Sequence, residues 1–181
     1  MILQTERLLL RPWEETDAER LYEYAKDPAV GPIAGWKTHE SVADSLWVIR
    51  NVLRMDETYA VCLKETGEAI GSIGLIEPTA AHTKIEPSER EIGYWIGVPF
   101  WGKGLIPEAM RALLRHAFAD LGVTAVWCGF YDGNERSKRC AEKCGFRFDH
   151  TEENKPCPLL GENRTEHYYY LTKERFENGV E

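Results

Sequence analysis

Apolar residues recur along this chain with two spacings, near two residues in some stretches and near 3.6 in others, so strands and helices can be read off in turn. Residues 7–11 read as a strand stopped at Pro12. Thr16-Asp17-Ala18-Glu19 has capping-box spacing and opens a helix to about Lys26, which Asp27-Pro28 ends. Thr38 or Ser41 caps a second helix reaching Arg54, since Val42, Leu46, Ile49 and Leu53 share one face. Residues 59–63 and 69–76 read as strands joined at Glu65-Thr66-Gly67. A third strand covers 91–98. A helix follows over 107–121, with Met110, Leu113, Leu114, Ala117, Phe118 and Leu121 forming its apolar stripe and Pro107 at its first position. Residues 125–130 are apolar enough for a strand buried on both faces. Residues 135–144 read as a helix that Gly145 closes in the left-handed conformation. Residues 146–150 and 167–171 complete the pattern as strands around a polar loop. The expected product is a mixed α/β sheet with a strand, glycine-rich turn and helix at its centre.

No repeat, low-complexity tract or composition shift divides the 181 residues, so one domain over 1–181 is expected. The longest apolar runs are far short of the ~18 residues of a spanning helix. The first residues also lack the basic and apolar segments of an export signal, so a cytoplasmic protein away from membranes is expected. A net charge of -8 argues against a nucleic-acid partner and gives only a weak, unspecific attraction for cationic amines. The five cysteines lack zinc-site spacing; Cys140 and Cys144 are one helical turn apart without a third ligand, and no metal is expected. His82, His116, His150 and His167 show no spacing that pairs them with a partner.

The segment Trp101-Gly102-Lys103-Gly104-Leu105-Ile106-Pro107 sets two glycines and a lysine at the start of a helix, directly after a strand. Amides at a helix start, with its dipole, suit an anion, and glycines permit close approach. By residue type alone, the turn could equally be a plain strand-to-helix connection. Gly97 to Lys103 spells the beginning of a nucleotide-binding P-loop, but Gly104 stands where the magnesium-binding hydroxyl belongs. The dinucleotide fingerprint fails as well, because Pro107 occupies its third glycine position.

Glu91-Ile92-Gly93-Tyr94-Trp95-Ile96, followed by Trp101-Gly102-Lys103-Gly104 and Glu108-Ala109, resembles the acetyl-CoA-binding motif of the GNAT N-acetyltransferases. Asn134-Glu135-Arg136-Ser137 through Glu142-Lys143-Cys144-Gly145-Phe146 resembles a second block of that superfamily, in the branch similar to ribosomal-protein-alanine acetyltransferases. Thr5 to Arg11 is similar to the opening strand of that branch. The resemblance implies a mixed, mostly antiparallel sheet of about 6–7 strands flanked by about four helices. It also implies transfer of an acetyl group from acetyl-CoA to a primary amine, either a protein N-terminus or a small molecule, in a ternary complex. A non-catalytic acyl-CoA-binding module would carry the same blocks, and monomer and homodimer are both compatible. On the same grounds, the amides of Gly102, Lys103, Gly104, Leu105 and Ile106 would hold the pyrophosphate, Ile96, Gly97 and Val98 would pair with the pantetheine arm, and Asn134 would hydrogen-bond it. Trp101 stands where the family often has Gln or Arg, and Ile106 where a small residue is usual.

Attack of an amine on a thioester needs a route for the amine's proton, a donor for the oxyanion and a proton for the departing thiolate. A backbone amide near Ile96 to Val98 serves the oxyanion. Glu91 is the candidate base, acting directly or through water, with a surface carboxylate as the alternative. Ser137 and Tyr131 are candidates at the sulfur, with backbone bonding and packing as their respective alternatives. For the acceptor, the candidate segments are Gly35 to His39, including Trp36 and His39, and the loop of residues 154–164. None of the cysteines has the electropositive setting of a nucleophile, so direct attack without metal or covalent intermediate is expected.

Overall fold

The computed structural model describes residues 1–179. In chain order its elements are β1 (Leu3–Gln4), β2 (Leu8–Arg11), α1 (Ala18–Ala25), α2 (Val42–Val48), β3 (Thr58–Leu63), β4 (Ala69–Ile76), β5 (Glu89–Ile96), α3 (Leu105–Ala119), β6 (Ala125–Tyr131), α4 (Glu135–Lys143), β7 (Arg147–Cys157), β8 (Glu162–Thr172) and α5 (Lys173–Glu177). Among the described residues the eight strands form one sheet in the order β1-β2-β3-β4-β5-β6-β8-β7. The count is slightly above the expected strands and helices: β1 and α5 are short elements that the sequence pattern does not mark. β5 and β6 are parallel, whereas β1–β2, β2–β3, β3–β4, β6–β8 and β7–β8 are antiparallel. The β5–β6 register runs only from Glu89 opposite Ala125 to Glu91 opposite Trp127. The residues group into two compact units, Met1–Gly74 with Tyr94–Ala112, and Leu75–Gly93 with the residues from Leu113 onward.

In the first unit, Trp13, Leu21, Ile49, Ala60 and Cys62 form a core in which each is at most 2% exposed. The buried Trp13 indole donates to Ser72 Oγ at 3.1 Å, and that hydroxyl donates to the Tyr59 carbonyl at 3.2 Å, so neither polar group is left unpaired. Gly71 is required by close approach: a Cβ there would lie 2.4 Å from the Trp95 carbonyl oxygen. The start of α1 departs from the expected capping box at Thr16. Arg11 grips Asp17 with two bonds of 2.7 Å, and Asp17 in turn accepts the Glu14 amide at 2.9 Å. A 3-10 turn at Glu15–Asp17 therefore precedes the helix, and Glu14 with Asp17 supplies the reciprocal cap. Ser41 caps α2 by accepting the Asp44 amide, and the helix continues as a π-helical turn over Ile49–Leu53.

α3 begins at Leu105, so Pro107 is its third residue rather than its first. The position is still within the first turn, where a missing N–H costs no intrahelical bond. Met110, Leu113, Leu114, Ala117 and Phe118 are buried as the stripe requires, whereas Leu121 lies beyond the helix and is 43% exposed. In the second unit, α4 ends at Lys143 and Gly145 takes φ 92, the left-handed closure. The polar stretch expected as a loop is instead the far end of a long hairpin, because β7 and β8 each run eleven residues. Its half-buried positions His150, Glu152 and Lys155 are polar like the exposed ones between them, which removes the alternation by which a strand is recognised.

Candidate active site

The glycine-rich turn lies in the first unit. Gly97 continues the sheet by donating to the Ile70 carbonyl at 2.9 Å, and Phe100 and Trp101 turn the chain with bonds back to Gly97 and Val98. The Trp101 indole donates to the Ile96 carbonyl at 2.9 Å, which gives the unusual residue at that position a role in closing the turn. Gly102 and Gly104 then take φ 73 and 72, a conformation that L side chains rarely adopt. A Cβ at Gly102 would meet nothing within 4 Å, so backbone conformation rather than crowding calls for glycine there.

These two turns aim the chain into α3, whose first amides lack intrahelical partners by construction. The Glu108 amide donates to the Gly104 carbonyl at 3.2 Å. Leu105 and Ile106 are buried, so the bulk of Ile106 is taken into the interior. The turn is held from outside by Arg7. Its guanidinium donates to the Lys103 carbonyl at 3.0 Å and to Glu108 Oε2 at 2.7 Å, while the Arg7 amide and the Thr5 hydroxyl donate to Glu108 Oε1. Partial burial opposes ionisation of Glu108, but hydrogen bonds from Thr5 and Arg7 prevail and hold its carboxyl below the usual range. The Lys103 ammonium sits over the Phe100 ring at 5.5 Å. Together these residues make a braced, amide-lined, positively polarised turn suited to a phosphate.

Trp36 and His39 also belong to the first unit. The Trp36 ring packs edge-on against Trp95 at 5.9 Å and against the His39 ring at 5.5 Å. His39 Nδ1 is 2.7 Å from the hydroxyl of the fully buried Ser45, and burial lowers the pKa of the imidazole. Both rings are partly exposed.

Asn134, Ser137, Tyr131 and Glu91 lie in the second unit. Asn134 caps α4, its Oδ1 accepting the Ser137 amide at 3.2 Å. The Tyr131 hydroxyl donates to Cys157 Sγ at 3.6 Å, and Arg164 covers its ring at 5.0 Å. Burial, reinforced by Cys157, raises the pKa of that phenol, which keeps it protonated.

Glu91 is not on the surface: it is 3% exposed, and both oxygens are engaged by one residue. Oε2 accepts the His82 amide at 2.6 Å and Oε1 is 2.8 Å from His82 Nδ1. Glu166, equally buried, has a carboxylate oxygen within 4.8 Å of the ligand-type atoms of both. Tyr168 donates its hydroxyl to Glu166 at 2.6 Å, and the Lys155 ammonium is 3.1 Å from Glu166 and 3.0 Å from Glu152. Lys155 also donates to the Tyr168 hydroxyl and to the His82 carbonyl. His82, Glu91 and Glu166 have the chemistry of a metal-ligand set, yet the cation already among them is the Lys155 ammonium.

Sequence reasoning missed this network because its members come from a loop and three strands. His116, His150 and His167 likewise have carboxylate partners, at Asp120, Asp149 and Asp132. Of these, only His116 with Asp120 has a helical i, i+4 spacing that sequence reading could have used.

Residues 7–147 match the family described as Acetyltransferase (GNAT) domain. Among curated proteins, the chain is 26% identical over 151 residues to the uncharacterized N-acetyltransferase YoaA of Bacillus subtilis (strain 168), covering 81% of this chain and 82% of that protein. It is 40% identical over 92 residues to the protein named "Putative ribosomal N-acetyltransferase YdaF" from the same organism, covering 49% and 48% of the two. Among solved structures, a GNAT-family acetyltransferase from Bacillus anthracis superposes with TM-score 0.82 at 24% identity, over 96% of this chain and 99% of that one. AAC(6')-Ib in complex with ribostamycin and coenzyme A superposes with TM-score 0.75 at 24% identity, over 97% and 99%. With the amide-lined turn, the mixed sheet and these matches in hand, the chain belongs to the GNAT acetyltransferase family and is an N-acetyltransferase.

Proposed function

We propose that this protein, as one domain over 1–181, transfers the acetyl group of acetyl-CoA to a primary amine by direct attack in a ternary complex. The observation that carries this reading is the turn entered through two left-handed glycines, Gly102 and Gly104, and braced by Arg7 and Glu108 at the start of α3. The amides of Gly102 to Ile106 hold the pyrophosphate, Ile96 to Val98 pair with the pantetheine, and Asn134 hydrogen-bonds that arm. A backbone amide near Ile96 to Val98 receives the oxyanion. Glu91 belongs to the route of the acceptor's proton, and Ser137 or Tyr131 meets the sulfur. Trp36 and His39 line the acceptor, which is an amine of a protein N-terminus or a small molecule; the name of YdaF and the ribostamycin complex of AAC(6')-Ib support one class each. The proposed setting is cytoplasmic; among the described residues no helix is long and apolar enough to cross a membrane.

The test is an acetyl-CoA-dependent thermal shift together with CoA release in the presence of spermidine, an aminoglycoside and a peptide with a free N-terminus. Stabilisation and release with one amine class are expected. Stabilisation by acetyl-CoA without any acetylated amine would instead favour a binding module.

A further inference from the structure

Resting on the acetyl-transfer reading above, the geometry points to His82, rather than Glu91, as the group that takes the proton from the acceptor amine, with Glu91 as the positioning residue behind it. A carboxylate that serves as base must turn a lone pair toward the acceptor. Glu91 turns both oxygens to His82, one to its amide at 2.6 Å and one to Nδ1 at 2.8 Å, and is itself 3% exposed. The His82 side chain is 54% exposed, and among the described residues no hydrogen bond occupies Nε2. Because Glu91 accepts from Nδ1–H, the neutral ring is held in the tautomer that leaves the Nε2 lone pair outward. This is the division of labour of a carboxylate–histidine pair, in which the buried member fixes orientation and the exposed member moves the proton.

The groups facing the imidazole set its affinity for that proton. Glu91 from β5 and Glu166 from β8 favour the charged ring, while Lys155 from β7 opposes it. Glu152 from β7 is occupied by Thr83 and Lys155, and the Tyr168 phenol, held by Glu166, stays neutral because burial raises its pKa. The hydrogen bond to Glu91 dominates and lifts the imidazole above its ordinary value. A base lifted above the ordinary imidazole value is well matched to removing a proton from an ammonium near neutral pH.

The acceptor arrives as an ammonium and gives one proton to His82 Nε2. The freed nitrogen pair forms the N–C bond at the thioester carbonyl, and the C–S bond breaks with its electrons going to sulfur. The second proton on nitrogen passes to that sulfur, giving amide and free thiol, and the imidazolium returns its proton to solvent.

The test is the pH dependence of kcat/KM with spermidine and a free-N-terminus peptide as probe amines, for wild type, His82→Gln and Glu91→Gln. Wild type should show an inflection above ~6.5. His82→Gln should lose that inflection and about 10²-fold or more in kcat/KM. Glu91→Gln should keep an inflection, moved to lower pH, which a merely structural role would not do. All three should show the same stabilisation by acetyl-CoA. A His82→Gln variant within threefold of wild type, with its inflection intact, overturns the proposal and leaves the transfer reading standing. If wild type itself releases no CoA with any amine, the transfer reading fails instead. The tautomer of His82, read by nitrogen NMR on the wild-type protein, still decides the proposal: Nδ1–H is expected, and Nε2–H overturns it.

Discussion

Replacing Gly104 with valine tests whether the turn before α3 is held in the shape that an anion requires. The left-handed conformation costs an L-residue ~1–2 kcal/mol, and a β-branched residue is a still rarer occupant. Strain of that kind persists only where the surroundings over-determine it. No packing of the residue itself opposes relaxation: a Cβ at Gly104 would meet only the flexible Arg7 guanidinium, at 3.8 Å, and one at Gly102 would meet nothing. The loop should therefore relax and carry its amides off target. If ~2 kcal/mol must be restored to rebuild the cradle around acetyl-CoA, affinity falls about 30-fold, since each 1.4 kcal/mol is tenfold. Gly67→Val is the matched control, because Gly67 has φ 73 and equally open surroundings but lies in the β3–β4 hairpin. Calorimetry with acetyl-CoA should show the weakening in Gly104→Val and not in Gly67→Val, with Gly104→Asn close to wild type because Asn tolerates this conformation. A Gly104→Val protein whose Kd stays within threefold of wild type would refute the reasoning.

Other expectations follow from single contacts. Asn134→Ala removes the α4 cap and should lower stability by about 1 kcal/mol, whereas Asn134→Asp keeps an acceptor for the Ser137 amide and should retain stability while raising the KM for acetyl-CoA. Glu108 is held below the ordinary carboxylate range, so its contribution is present above about pH 4.5 and lost as pH falls through the lowered value; denaturation of Glu108→Gln should show a shallower acid limb than wild type. Gly71→Ala should destabilise by about 1–3 kcal/mol, because its Cβ would meet backbone atoms of Trp95 and Ile96 at 2.4 and 2.9 Å, neither of which can swing aside. Chemical denaturation measures that loss.

Where the chain announces its structure locally, reading it forward works. β4 occupies Ala69–Ile76 as its apolar run suggests, Ser41 caps α2, and Gly145 closes α4. Each of these depends on neighbours a few residues apart. The α1 cap was displaced by a longer-range partner, since Arg11 captures Asp17 and moves the helix start. The β7–β8 hairpin was hidden because His150, Glu152 and Lys155 on its half-buried side are as polar as the exposed residues, so no alternation distinguishes it from a loop. The turn before α3 was legible from Gly102 and Gly104, whose residue type states their backbone need. The pairing of His82 with Glu91 was not. It arises when the loop after β4 folds its amide and ring back onto a strand residue nine positions later, a distance that matches no period.

The central claim is tested most directly by following CoA release from acetyl-CoA with purified protein and an amine panel, beside the same reaction with Gly104→Val. Amine-dependent release by wild type, saturable in acetyl-CoA, is expected, with a raised KM for acetyl-CoA in the variant. Amine-dependent release with an unchanged KM in the variant, or no binding of acetyl-CoA by wild type, would contradict it.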